Sequence, residues 1–284
     1  MLVILVTTFA LVTDALAVTN LSLLTHSSPS RISVSWFPRN RPVTALITAP
    51  PTRSIGAAHA VLLLNSNIVV AWEEAPLNRS DTDIHAQMFS PSGQPLWGPS
   101  GIVVNNFRGH QRSPRVTALP DASIVVVWQS DSAGPHNNNI WCQLILPNGR
   151  LRWDTPAPVC TARGDQCAPV IATDQDTGVL IAWEDYRHGN ADIYAQRIDL
   201  DGAPLGPEDG VPIEDAPGDQ RNPRFVTSQT GSLLLLWDDY RPGFATPVQV
   251  QSDLTHLPIP EPDFSLALFL LFISRCRTSA RVRS

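Results

Sequence analysis

The chain has 284 residues, 26 of them proline and 16 glycine, with a formal net charge of −6. The proline density argues against long helices, and the acidic balance against a general nucleic-acid binder, which needs a basic surface to displace counterions from phosphate. All 20 basic residues are arginine, so Schiff-base lysine chemistry and a Walker-type phosphate grip are both absent.

In chain order, residues 1–17 read as a secretory signal peptide: an apolar run from Met1 to Val12 leads to an A-x-A site ending at Ala17, although the usual positive n-region is missing. A plain hydrophobic strand is the alternative. An N-terminal segment, 18–42, follows. The span 43–251 is then organised by four tryptophans, Trp72, Trp128, Trp183 and Trp237, each closing a short aliphatic run: IVVAW, IVVVW, VLIAW and LLLLW. A glutamine and a proline precede three of them at fixed distance: Gln111 and Pro114, Gln166 and Pro169, Gln220 and Pro223. Ile55 and Ala58 hold those places in the first copy. Such a period, built from short strands, points to a radial array of sheets.

Each period divides into strand-sized pieces, in the second copy Pro114 to Leu119, Ile124 to Gln129, Asn139 to Leu146 and Leu151 to Cys160, separated by turn residues. The expected fold is all-β, a propeller of four-stranded antiparallel blades. The fourth copy supplies only three strands. Val43 to Thr48 is positioned to complete it, which predicts a four-bladed ring closed by its N-terminal strand; a five-bladed form that also uses Arg31 to Phe37 and an unclosed array are the alternatives. The tryptophans are expected between blades, as packing residues.

The loops after the second and fourth strands share one face and are acidic. Candidate binding residues there are Asp83, Glu184, Asp185, Arg187, Asp192, Asp239 and Arg241. Asp81, Asp83 and Asp192 could contribute oxygen ligands to Ca²⁺, while turn capping by side-chain hydrogen bonds explains the same acids equally well. Arg187 and Arg241 are expected to pair with local acids. No other cofactor is implied. No catalytic residue is assigned: there is no Gly-x-Ser-x-Gly elbow and no His-Glu-x-x-His, and His85 stands where Trp141 and Tyr194 occur in later copies, a packing position. A glycosidase would need two carboxylates about 5–10 Å apart, and acids that recur with the structural period argue mildly against it. Cys160 and Cys167 bracket a small loop and are expected to form a disulfide. The Arg163-Gly164-Asp165 inside it aligns with Gly109-His110 and Gly218-Asp219 and is a variant of the repeat's turn.

The run Trp183-Glu-Asp-Tyr-Arg187-His-Gly189-Asn190-Ala-Asp192-Ile-Tyr194, followed by Asp201-Gly202, resembles the repeats of TolB-type and related secreted bacterial propellers. That resemblance implies a fold and a binding habit and brings no catalytic residues with it. At the other end, a proline-rich linker, 252–263, carries Pro260-Glu261-Pro262. The apolar stretch from Phe264 and the arginines of 264–284 follow. This order resembles the C-terminal sorting signal of bacterial exosortase substrates. It implies processing near Pro260 to Pro262, arginines on the cytoplasmic side, and a transient or anchored membrane association through the tail. The combined expectation is an exported cell-envelope propeller, without catalysis of its own, that binds a protein or polysaccharide of the envelope. A secreted glycoside-active enzyme using the acids of the loop face and a purely structural surface module are the alternatives.

Overall fold

A computed structural model of the chain describes residues 31–38, 41–78, 80–134, 136–174, 178–227, 232–242 and 248–253. The expected signal peptide, the Pro260-Glu261-Pro262 motif and the tail 264–284 lie outside those residues.

Each tryptophan repeat becomes one antiparallel sheet whose strands follow chain order. The first follows a separate hairpin, β1 (Arg31–Trp36) and β2 (Val43–Thr48), and consists of β3 (Arg53–Leu62), β4 (Ile68–Pro76), β5 (Asp83–Phe89) and β6 (Ile102–Asn105). The second is β7 (Gln111–Ala118), β8 (Ile124–Ser130), β9 (Asn139–Ile145) and β10 (Ala157–Cys160). The third is β11 (Gln166–Thr173), β12 (Gly178–Asp185), β13 (Asp192–Asp199) and β14 (Val211–Glu214). The fourth has three strands, β15 (Gln220–Thr227), β16 (Leu233–Asp239) and β17 (Val248–Asp253). First strands of successive sheets adjoin, β3 with β7, β7 with β11 and β11 with β15. These are the blades of a β-propeller.

The second strands are apolar up to and including the tryptophan because both of their faces are covered, and strand alternation decides which face each residue serves. Val70 and Trp72 pack against the hairpin with Ile32, Val34 and Trp36, whereas Val69 and Ala71 face the second sheet with Ile124, Val126 and Trp128. Trp183 repeats the arrangement between the second and third sheets, and Trp237 between the third and fourth. Every anchor tryptophan therefore faces the preceding sheet, as a packing residue.

One predicted pairing is not made. Val43 to Thr48 was expected to complete the fourth sheet, but β2 is laddered to β1 from Arg31↔Thr48 to Trp36↔Val43, and the fourth sheet keeps three strands among the described residues. A hairpin closed by the short connection Phe37 to Pro42 orders far less chain than a pairing between the two ends of the domain. Five sheets result, the hairpin taking the place of the blade before the first repeat. The propeller strands thus begin inside the segment 18–42 and extend to Asp253, two residues into the expected linker.

The first strand of each repeat carries a bulge, at Ile55/Ala58, Arg112/Arg115, Cys167/Val170 and Arg221/Arg224. In the last three a non-glycine residue there has positive φ: Ser113 at 54°, Ala168 at 51° and Asn222 at 57°. β3 and β7 are also joined by a histidine, since His59 Nδ1 accepts the Val116 N–H at 3.2 Å. Burial pushes the His59 imidazole down to about 4 from its ordinary 6.5.

Trp128→Ala should cost about 3–5 kcal/mol in urea unfolding, the usual range for a buried tryptophan, while Leu64→Ala, at a side chain 89% exposed, should stay within about 0.5 kcal/mol of wild type. Because His59 binds its proton less readily folded than unfolded, stability should fall as pH drops from about 6.5 to about 4. His59→Gln should make that loss shallower in a series of thermal melts.

Candidate functional site

The polar pair after each tryptophan, acidic in all but the second sheet, is split by strand alternation. The second member points into the sheet interface: Glu74 Oε2 accepts the Trp72 indole N–H at 3.0 Å, and Asp185 Oδ2 accepts that of Trp183 at 2.8 Å. In the second sheet Ser130 is too short for this, and Gln111 Oε1 accepts the Trp128 N–H instead, at 3.0 Å. The first member reaches the next sheet. Glu73 accepts the N–H of Ser113 at 2.7 Å, Gln129 that of Ala168 at 3.0 Å, and Glu184 that of Asn222 at 2.8 Å. Those are the bulged, positive-φ residues, whose N–H groups would otherwise be stranded.

The arginines close the same set. Arg187 donates to both oxygens of Asp185, at 2.9 Å from Nε and 2.6 Å from Nη2, and its guanidinium lies 4.1 Å over the Tyr194 ring. Arg241 pairs with Asp239 and, at 3.0 Å, with Glu214, which holds the Asp239 carboxyl below the usual carboxylate range. Asp185 and Asp239 are fully buried and Asp192 is 2% exposed. Burial pushes the Asp192 carboxyl upward, while a 2.5 Å hydrogen bond from Asn190 Nδ2 opposes the shift.

The loops interlock from sheet to sheet. Asp165 Oδ1 accepts the Asn138 N–H at 3.1 Å and Asp219 Oδ1 that of Ala191 at 3.1 Å, whereas Asp131 Oδ1 accepts that of His110 at 2.5 Å within the second sheet. The repeated glutamines serve the turns: Gln111 Nε2 donates to Phe107 O at 3.3 Å and Gln220 Nε2 to Ala216 O at 3.2 Å. Arg163-Gly164-Asp165 is that same turn, with Gly164 at φ 88°, Gly109 at 94° and Gly218 at 103°.

Cys160 and Cys167 are free thiols, which corrects the expected disulfide. The loop between them crosses from the last strand of the second sheet to the first strand of the third. Cys160 Sγ meets Arg187 Nη2 at 3.2 Å, whereas Cys167 Sγ lies near Glu184 Oε2 at 3.9 Å. Burial pushes both thiols up to about 12, so neither is a reactive thiolate at neutral pH. Among the described residues no three His, Cys, Asp or Glu side chains gather as a metal site. Asp83 and Asp192 occupy equivalent ladder positions in two different sheets, opposite Glu74 and Asp185, which separates the residues expected to share Ca²⁺. No described helix is long and apolar enough to cross a membrane.

The first sheet departs from the pattern. Pro76 stands where Arg187 and Arg241 stand in their copies, and Arg53 approaches from the first strand instead, 3.1 Å from Glu74 Oε1 and 3.8 Å from Asp83 Oδ2. His85 replaces Tyr194, stacks on Trp72 with ring centroids 5.7 Å apart, and keeps its Nδ1 3.9 Å from Glu74 Oε2. Its Nε2 is buried without a hydrogen-bond partner. These side chains line a cleft of about 310 Å³ between β2 and the first sheet, with Leu46 and Val103 at its rim. Sequence reasoning placed Asp83 near this site and missed Arg53, Glu74 and His85 as a group. The signal was the paired exchange of Arg for Pro76 and of an aromatic for His85.

No protein-family model matches the sequence, and no curated protein matches it. Solved structures do resemble it. The alpha-L-arabinanase of Penicillium chrysogenum, complexed with arabinobiose, superposes with a TM-score of 0.55 at 12% identity, covering 82% of this chain and 69% of the arabinanase. The GH93 alpha-L-arabinofuranosidase of Fusarium graminearum, also with arabinobiose, gives 0.51 at 11% identity over 72% of this chain and 66% of its own. A protein of unknown function from Dyadobacter fermentans gives 0.51 at 11% identity, over 74% and 68%. At such identities the shared property is the propeller fold.

Glu73→Gln should be nearly neutral in denaturant unfolding, because Gln129 already makes the same bond in the second sheet. Glu73→Ala should cost about 1–3 kcal/mol by leaving the Ser113 N–H unsatisfied.

Proposed function

We propose that this chain is an exported cell-envelope propeller that binds glycan and has no catalysis of its own. The carrying observation is the engagement of its repeated carboxylates: Asp185, Asp192 and Asp239 are almost wholly buried, and Glu73 and Glu184 hold the next sheet's backbone. A catalytic carboxylate must touch the sugar, and these touch the scaffold. Export is supported by the leader-like residues 1–17 and the sorting-like order of Pro260-Glu261-Pro262, apolar segment and arginines. A glycan as the envelope ligand, ahead of a protein, is supported by the arabinobiose complexes of two fold neighbours.

Glycoside hydrolysis is the second reading. It is favoured by the enzymatic character of those neighbours and by the up-shifted Asp192 carboxyl directly across the ladder from Asp185. The expected result with a panel of neutral oligosaccharides, arabinobiose among them, is saturable binding with no product released over prolonged incubation. Product release that Asp192→Asn abolishes would establish the enzyme instead.

A further inference from the structure

We propose that the cleft between β2 and the first sheet is the glycan site and that it takes a neutral sugar unit through two adjacent hydroxyls. This rests on the glycan-binding reading above and adds to it a location and a ligand class.

The cleft exists because the repeat fails there. In the third sheet the corresponding space is filled by Arg187, which bonds Asp185, covers Tyr194 and reaches Asp209 O at 2.9 Å. Pro76 can do none of this, and Arg53, arriving from the opposite side, leaves the gap between Trp72, His85 and the hairpin open. The wall of that gap includes a side chain only 8% exposed, His85, whose Nε2 has no partner within the protein. A buried imidazole nitrogen left in that state is stabilised by any ligand hydroxyl that reaches it.

The remaining groups fit a diol. Arg53 only donates and Glu74 only accepts, and they lie side by side at 3.1 Å. Neighbouring hydroxyls of a sugar ring can satisfy both, one accepting from the guanidinium and the next donating to the carboxylate. Leu46, 53% exposed, and Val103, 46% exposed, offer apolar surface at the rim to the C–H face of the ring. Charge selects against acidic sugars. Two carboxylates, Glu74 and Asp83, face one guanidinium, and burial drives the His85 imidazole toward its neutral form. A uronate or sulfate would bring a like charge to this group. A volume of about 310 Å³ is at the small end of ligand pockets and suits one or two rings rather than a long chain.

Calorimetric titration of the full-length chain with arabinobiose, and with digalacturonate as the anionic contrast, tests the assignment. Arg53→Ala and His85→Tyr, the latter installing the residue of the third sheet, should each weaken arabinobiose binding about tenfold, the order of one hydrogen bond. Val103→Trp should block the cleft from its exposed rim without entering the core, and Leu64→Ala, at an exposed side chain outside the cleft, should bind as wild type. Thermal melts establish that each variant is folded. Arabinobiose binding that survives both His85→Tyr and Val103→Trp overturns the site while leaving a glycan-binding protein. Digalacturonate binding as tight as that of arabinobiose overturns the neutral ligand class. A wild-type chain that binds no neutral saccharide overturns the functional reading itself.

Discussion

A hydrogen bond from a bulged backbone N–H to a side chain of the preceding sheet sets the geometry on which the rest of this propeller depends. Hydrophobic burial between sheets is non-directional, and apolar faces such as those around Trp128 and Trp183 could slide or rotate against one another. The bonds from Ser113 to Glu73, Ala168 to Gln129 and Asn222 to Glu184 fix their relative position. Each relieves a local problem as well, for a residue at positive φ in a bulge has lost its ladder partner. Scaffold and capping are therefore one interaction, repeated at three successive interfaces.

That interaction also explains why an acidic loop face carries so little free chemistry. In the first three repeat sheets the residue after the tryptophan is committed to the next sheet, and the acids one position further on, Glu74, Asp185 and Asp239, are committed to an indole or an arginine. Two of the four repeat sheets lack the covering arginine, with Pro76 in the first and Ser132 in the second, and in the first Arg53 reaches Glu74 from the first strand instead. A structural period this consistent leaves functional difference to its exceptions, and the cleft around Arg53, Glu74 and His85 is such an exception.

Much of the architecture was legible in the sequence because both faces of each second strand are buried, which writes an unbroken aliphatic run ending in tryptophan. Asn139 to Leu146 was predicted and Asn139 to Ile145 is observed; Ile124 to Gln129 extends by one residue to Ser130. The first strands begin three residues earlier than Pro114 suggested, at Gln111, since the bulge hides their pairing. Ser113, Ala168 and Asn222 share no residue type, so nothing in composition marked their common positive φ. The two acids of Glu184-Asp185 look alike in sequence and differ only through alternation, which sends them to opposite faces. Gln129 interrupts the acidic pattern, yet its side-chain carbonyl oxygen does the work of a carboxylate. The Cys160 and Cys167 spacing suited a disulfide, but the short loop spans two sheets rather than one. The N-terminal hairpin was misplaced for a related reason: register with the repeat identified Val43 to Thr48 as a strand but could not choose between a distant edge and a neighbour in the chain.

Amide hydrogen exchange at Ser113, Ala168 and Asn222 tests the central claim most directly. These amides sit at bulges that are only partly covered, and Asn222 is exposed, so without the cross-sheet bonds they would exchange freely. The account predicts protection approaching that of the buried second strands, such as Val126 in β8, and its loss at Ser113 alone in Glu73→Ala. Exchange of all three near the unprotected rate, while Val126 stays protected, would contradict it.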